Sequence, residues 1–174
     1  MTLPAKNPSV TLLWGEDEFL LRERALELLG DRKPTEVDAA EWRGSELQDL
    51  ATPSLFGEPR ALLIADAKSL PKEALAELSA YLSSPDPNAP LVICAQVGDR
   101  AKVPAALDKL VKPVGRVVEV KLARKDLEPW LMQRAKREGL DVTPPAVHAL
   151  VETLGEEPGQ LAAALRQLGS AFTG

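Results

Sequence analysis

Short apolar runs alternate with amphipathic stretches along the first two thirds of the chain. VTLLW (Val10 to Trp14) is compact, apolar and partly β-branched, and Gly15 ends it, which predicts a buried strand. In DEFLLRERALELLG, the positions Phe19, Leu20, Ala25, Leu28 and Leu29 return near helical spacing and Gly30 supplies a stop, which predicts an amphipathic helix with a glycine exit. TEVDA around Val37 predicts a weaker strand, and SELQDLAT a short helix with Ser45 as its cap. RALLIAD, APLVICA and GRVVEVK are three further apolar runs, with helical patterns at Lys72 to Ser83 and Lys102 to Leu110 between them. Strands that alternate with helices form β-α units feeding a parallel sheet covered on both faces. Residues 8 to 121 are therefore expected to be an α/β domain with a five-stranded, mostly parallel sheet.

After Val120 the alternation stops. DLEPWLMQRAKREGL, TPPAVHALVETLG and EPGQLAAALRQLGSAF predict three successive helices, the second opened by Thr143 with prolines in its first turn. The charged KLARKD (Lys121 to Asp126) is expected to be a short hinge, which gives an α/β domain over 1–121 and a small helical domain over 122–174.

One segment fits neither pattern. ATPSLFGEPR, residues 51 to 60, sets Leu55 and Phe56 side by side between Pro53 and Ser54 on one side and Gly57 and Pro59 on the other. Proline fixes its own φ and lacks an amide donor, and glycine frees the backbone, so the stretch reads as a turn or a single helical turn. Turns usually lie on the surface. A Leu-Phe pair there is either a tack pressed back onto the core or a hook for another protein.

Composition narrows the function classes. The chain has 174 residues, 45% hydrophobic and 27% charged, enough for one ordinary domain and a small satellite. No apolar run approaches the roughly 20 residues of a spanning helix. Met1 to Val10 lacks the charged and apolar regions of a signal peptide, so a cytoplasmic location is expected. A single cysteine, Cys94, excludes an internal disulfide, and with a single histidine, His148, it argues against a Cys/His zinc site. A formal net charge of -5 gives no overall pull on phosphate backbones. Lys121, Arg124, Lys125, Arg134, Lys136 and Arg137 form the local positive cluster, to be read as a solvated helix face or as a phosphate or partner contact.

A strand, a glycine and a helix at the start of an α/β domain is where a phosphate-binding loop would sit. Such a loop needs G-x-x-x-x-G-K-[ST], whose amides and lysine hold phosphates and whose hydroxyl ligates magnesium. WGEDEFLLRE lacks the second glycine, the lysine and the hydroxyl, and it places Glu16, Asp17 and Glu18 at the helix entrance, where they favour the helix dipole and repel a nucleotide. The third strand offers Asp66 followed by Ala67 rather than paired acids. His148 reads as a partly exposed helix residue and Cys94 as a buried thiol packing as a small hydrophobe. Asp38, Glu41, Asp66 and Asp99 lie near predicted strand ends, where ligand sites gather in open sheets, yet their spacing specifies no pairing. No catalytic constellation, cofactor site or metal site is expected.

LLWGEDEFLLRE, LATPSLFGEPRALLI, LAELSAYLSSPDPNAPLVICA, DLEPWLMQRAKREGL and AVHALVETLG, in this order, resemble the delta subunit of the bacterial DNA polymerase III clamp loader across nearly the whole chain. The resemblance implies a nucleotide-free relative of the AAA+ ATPase core followed by a three-helix lid. It further implies a subunit without ATPase activity of its own, working within the DNA polymerase III holoenzyme. In that family an adjacent Leu-Phe pair before the third strand grips the ring-shaped sliding clamp (the beta subunit) and disfavours its closed interface, so that the ring opens for loading onto primed DNA. The matching positions are Leu55 and Phe56, with Pro53, Ser54 and Gly57 as flanking contacts. The gamma/tau and delta-prime subunits are the implied loader partners, DNA is reached only through the complex, and no membrane is involved. The family's helical collar has no counterpart here, so the chain is expected to be an N-terminal fragment. Two other classes stay open on the residues alone. One is an enzyme on a degenerate nucleotide-binding fold, and the other is a DNA-binding module using the Lys121 to Arg137 cluster.

Overall fold

The computed structural model describes residues 9–172. The expectation about a signal sequence in the first ten residues falls almost wholly outside them. The chain divides into two compact units, the first ending at Val120 and the second starting at Lys121.

The first unit is built on β1 (Val10–Gly15), β2 (Thr35–Asp38), β3 (Leu62–Ala65), β4 (Leu91–Gln96) and β5 (Arg116–Glu119), in the order β2-β3-β4-β1-β5. All four pairings are parallel. Four helices connect the strands: α1 (Glu18–Leu29), α2 (Glu46–Ala51), α3 (Lys72–Leu82) and α4 (Ala105–Val111). Because strand side chains alternate between faces, each apolar run feeds two cores. Val10, Leu12, Leu62, Ile64, Leu91 and Ile93 face α2, α3 and α4, where Leu47, Leu50, Leu78 and Leu107 meet them. Leu13, Leu63, Val92 and Cys94 face the other way, onto Leu21, Ala25 and Leu29 of α1. Continuous apolar runs are what a sheet covered on both sides demands. The exposed pattern of β2 fits its place at the edge.

Three local details depart from the sequence expectations. Ser45 precedes α2 but makes no capping bond through its side chain. Glu46 reaches back instead, its carboxylate accepting from the amides of Arg43 (2.9 Å) and Gly44 (2.8 Å). Burial would raise the Glu46 carboxyl, but bonds from the backbone amides of Glu46, Arg43, Gly44 and Ser45 outweigh it and hold the group below the ordinary carboxylate value. Helix α4 starts at Ala105 rather than Lys102, because Pro104 disfavours helical backbone at the residue before it. The Lys121 to Asp126 stretch is not an open hinge throughout, since Leu122 packs on the core of the second unit's own helices and Arg124–Asp126 forms a turn of 3-10 helix.

The second unit is the three helices α5 (Leu127–Arg137), α6 (Pro144–Leu154) and α7 (Pro158–Phe172). They close around Leu127, Leu131, Ala135, Val147, Leu161 and Leu165. Prolines at the first positions of α6 sit where a helix has no use for their missing amide donors. Among the described residues, no helix is long and apolar enough to cross a membrane.

Candidate functional site

The chain leaves the core on the α2 side of the sheet at Leu50, 4% exposed, and re-enters the fold at Ala61, 4% exposed beside β3 in the core on the α1 side. Between these two anchors runs a surface loop. Its tip is a β-turn in which the amide of Gly57 donates to the carbonyl of Ser54 (3.3 Å). Serine at the first position and glycine at the fourth are favoured residues for such a turn. The Ser54 hydroxyl also accepts from the amide of Phe56 (3.3 Å), a side-chain mimic of a backbone turn. Gly57 has φ +68°, a conformation that side chains with a Cβ rarely adopt.

Leu55 and Phe56 occupy the two corner positions of this turn. They are 97% and 88% exposed, far above the other exposed large hydrophobics, of which the next is Val114 at 43%. The pair is therefore no tack on the core of this chain. Pro53 and Gly57 are exposed beside it, and Ser54 is half-buried beneath it.

Arg60, to which the sequence analysis assigns nothing, braces the base of the loop. Its guanidinium Nη1 donates to the backbone carbonyl of Asp49 in α2. A short helix leaves its last four carbonyls without partners inside the helix. In α2, the Gln48 carbonyl accepts from both the amide (3.0 Å) and the hydroxyl (2.7 Å) of Thr52, and Arg60 takes the next one. An arginine before an apolar strand carries no sequence signal of this contact, because its partner is a backbone atom.

The place of a phosphate loop is filled differently. Only Glu16 and Asp17 separate β1 from α1. Asp17 accepts from the amide of Leu20 (2.9 Å), using a donor that an anion would need. From the end of β4, Gln96 donates its side-chain amide to the Glu16 carbonyl (3.0 Å) and the Val97 amide donates to the Gly15 carbonyl (2.8 Å), which ties the connection shut. A side chain at Gly15 would meet the Val120 carbonyl oxygen at 2.3 Å, so packing against the chain after β5 accounts for this glycine without a phosphate.

The other candidate residues are dispersed. A cleft of about 210 Å3 at the C-terminal ends of β2, β3 and β4 is lined by Glu18, Glu36, Asp38 and Asp66, with Arg22 as its cation. Arg22 is paired with Glu36 at 2.9 Å, so the cleft presents mainly carboxylate. Asp38 accepts from the Ala40 amide and Asp66 from the Ser69 hydroxyl, each closing a local turn. Asp99 is an exposed loop acid 3.8 Å from Arg100, and Glu41 lies in the 3-10 turn after β2. Cys94 is buried against α1, and burial pushes its thiol up to about 12, out of the range of a nucleophile. No group of three or more potential metal ligands occurs among the described residues. The basic cluster is also broken up. Arg134 is 8% exposed, paired with Glu138 at 2.9 Å and lying over the Trp130 ring, and Arg124 pairs with Glu156 at 2.6 Å.

His148 bridges two helices of the second unit, Nδ1 lying 2.8 Å from Glu128 of α5 and Nε2 3.5 Å from Glu152 of α6. The hydrogen bond to Glu128, then the charges of Glu152 and Glu128, raise its pKa above the ordinary histidine value. A raised pKa in the folded state means that His148 stabilises this unit fully at pH below its unfolded value. That contribution is lost as pH climbs through the raised folded value. An NMR titration of the imidazole is expected to place its midpoint above 6.5. Glu128→Gln is expected to move it down, and a midpoint insensitive to that change would refute the pairing.

Comparisons with known proteins follow the same line. The family model described as DNA polymerase III, delta subunit, matches residues 12–121, well over half of the chain. Among solved structures, the fold resembles that of the Bacillus subtilis DNA clamp loader delta protein (YqeN), with a TM-score of 0.64 at 21% identity. That match covers 95% of this chain and 54% of the other, so the chain spans about half the length of the relative. No curated protein sequence matches. With a family match over most of the first unit, the chain belongs to the DNA polymerase III delta subunit family.

Proposed function

We propose that this chain is the clamp-gripping part of a clamp loader delta subunit. Leu55 and Phe56 form its hook, and docking disfavours the closed interface of the sliding clamp so that the ring opens for loading. The carrying observation is the exposure of two adjacent large apolar side chains at the corners of one turn, 97% and 88%. Water meets both side chains almost completely in the free chain, so seating them in a partner's apolar pocket would contribute roughly 3 to 6 kcal/mol gross, before the entropy cost of association. The flanking Pro53, Ser54 and Gly57 set the turn and touch the rim of the pocket. No ATP hydrolysis by this chain enters the mechanism. The three helices of the second unit act as the lid, and the loader's gamma/tau and delta-prime subunits and DNA are reached through the complete assembly, in the cytoplasm.

Calorimetric titration of the chain with the sliding clamp of the same organism tests this directly. Saturable binding with a negative heat-capacity change, the mark of apolar burial, is expected without nucleotide. A flat titration at clamp concentrations in the tens of micromolar range, about −6 kcal/mol of affinity or weaker, would refute it.

A further inference from the structure

Two large apolar side chains on a flexible loop would collapse onto the nearest apolar surface or sample many poses, and each pose lost on docking weakens binding. Something must hold the turn away from the body of the chain. The turn's own bonds, Ser54 with Phe56 and Gly57, fix the tip locally. They do not fix the tip relative to the sheet. The outgoing arm leaves α2, a helix of only six residues, through exposed Ala51, Thr52 and Pro53. The returning arm, Glu58 and Pro59, is exposed too. Between the arms, a hydrogen bond joins the two ends of the loop: Arg60, the last residue before buried Ala61, donates to the carbonyl of Asp49, the residue before buried Leu50.

We propose that Arg60 is a positioning residue for the hook, closing the base of the loop so that Leu55 and Phe56 are presented in one pose. The proposal rests on the reading of the pair as a clamp hook and adds a residue that need not touch the clamp. A guanidinium suits the task because its donors lie in a rigid plane on a long stem, half-buried here against the loop base. Its partner is a backbone carbonyl, so the brace holds whatever side chain stands at position 49. Closing the loop before docking removes part of the ordering cost that binding would otherwise meet.

The test uses Arg60→Met, which keeps an apolar stem but has no donor, and Arg60→Lys, which restores one. Backbone relaxation of the free chain is expected to show the amides of Leu55, Phe56 and Gly57 near the rigid order parameter of about 0.85 in the parent and below about 0.6 in Arg60→Met. Order in β3 and β4 should be unchanged. Clamp affinity should fall about tenfold in Arg60→Met, as expected when two side chains must be ordered on binding, and recover in part in Arg60→Lys. Unchanged loop order in Arg60→Met would overturn the proposal. So would a collapse of the melting temperature, which would make Arg60 a residue of the fold rather than of the hook. Loop order is read without the clamp, so it stands apart from the underlying reading. If Leu55→Ala/Phe56→Ala leaves clamp binding intact, the hook itself fails and the positioning role fails with it. If that double variant abolishes binding while Arg60→Met leaves affinity untouched, the hook stands and only the role of Arg60 falls.

Discussion

The double variant Leu55→Ala/Phe56→Ala is expected to lose clamp binding by two to four orders of magnitude while folding as stably as the parent. The binding loss follows from the roughly 3 to 6 kcal/mol of gross apolar burial, at about 1.4 kcal/mol per tenfold in affinity. A few central apolar residues commonly carry most of an interface. The unchanged stability follows from exposure: side chains 97% and 88% open to water leave no cavity when truncated, and surface changes of this kind stay within about 0.5 kcal/mol. Urea denaturation beside a clamp titration separates the two quantities. A large fall in stability with clamp binding retained would mean that the pair is a packing element after all.

Leu13→Ala is expected to do the reverse. Leu13 is fully buried in β1, an interior strand between β4 and β5, and faces α1, the one helix that covers that side of the sheet among the described residues. Truncating it should leave a cavity that neighbouring Leu21, Leu63 and Val92 cannot fill, at a cost of about 2 to 5 kcal/mol. The urea midpoint should drop with little change in slope. The hook loop departs from α2 on the opposite face of the sheet and returns through Ala61 on the side of Leu13. Its tip is exposed and held by its own turn bonds, so the folded fraction should keep its clamp affinity to within about twofold, the additivity expected of separate sites. A loss of affinity as large as the loss of stability would show that the sheet core and the loop are one coupled unit.

These two variants also mark where sequence patterns inform and where they stop. The apolar runs of β1, β3 and β4 are legible because both faces of those strands are buried, which leaves no polar alternation to confuse them. The edge strand β2 is weak in sequence for the opposite reason, having little burial to record. Helix ends are less legible. Ser45 has the chemistry of a cap, but its backbone sits at helical angles, φ −103° and ψ −14°, and Glu46 satisfies the amides before it instead. Pro104 shortens α4 through a restriction on Val103 that apolar periodicity does not register.

For the site, the sequence by itself pointed to a turn or a single helical turn within residues 51 to 60, since proline and glycine there break regular elements. It also determined that the β1–α1 connection lacks the groups that hold phosphate, because those groups are side chains at fixed offsets from a glycine. It could not decide whether Leu55 and Phe56 face the core or water. A turn places a side chain inside or outside according to what the rest of the fold packs beneath it, and only the tertiary structure fixes that. The same holds for Arg134, one of a run of cations in sequence that turns inward to Glu138 and Trp130, and for Arg60, whose partner is a carbonyl eleven positions away. Local propensity and periodicity are written residue by residue, whereas exposure and long-range backbone contacts belong to pairs of segments that meet only when the sheet closes.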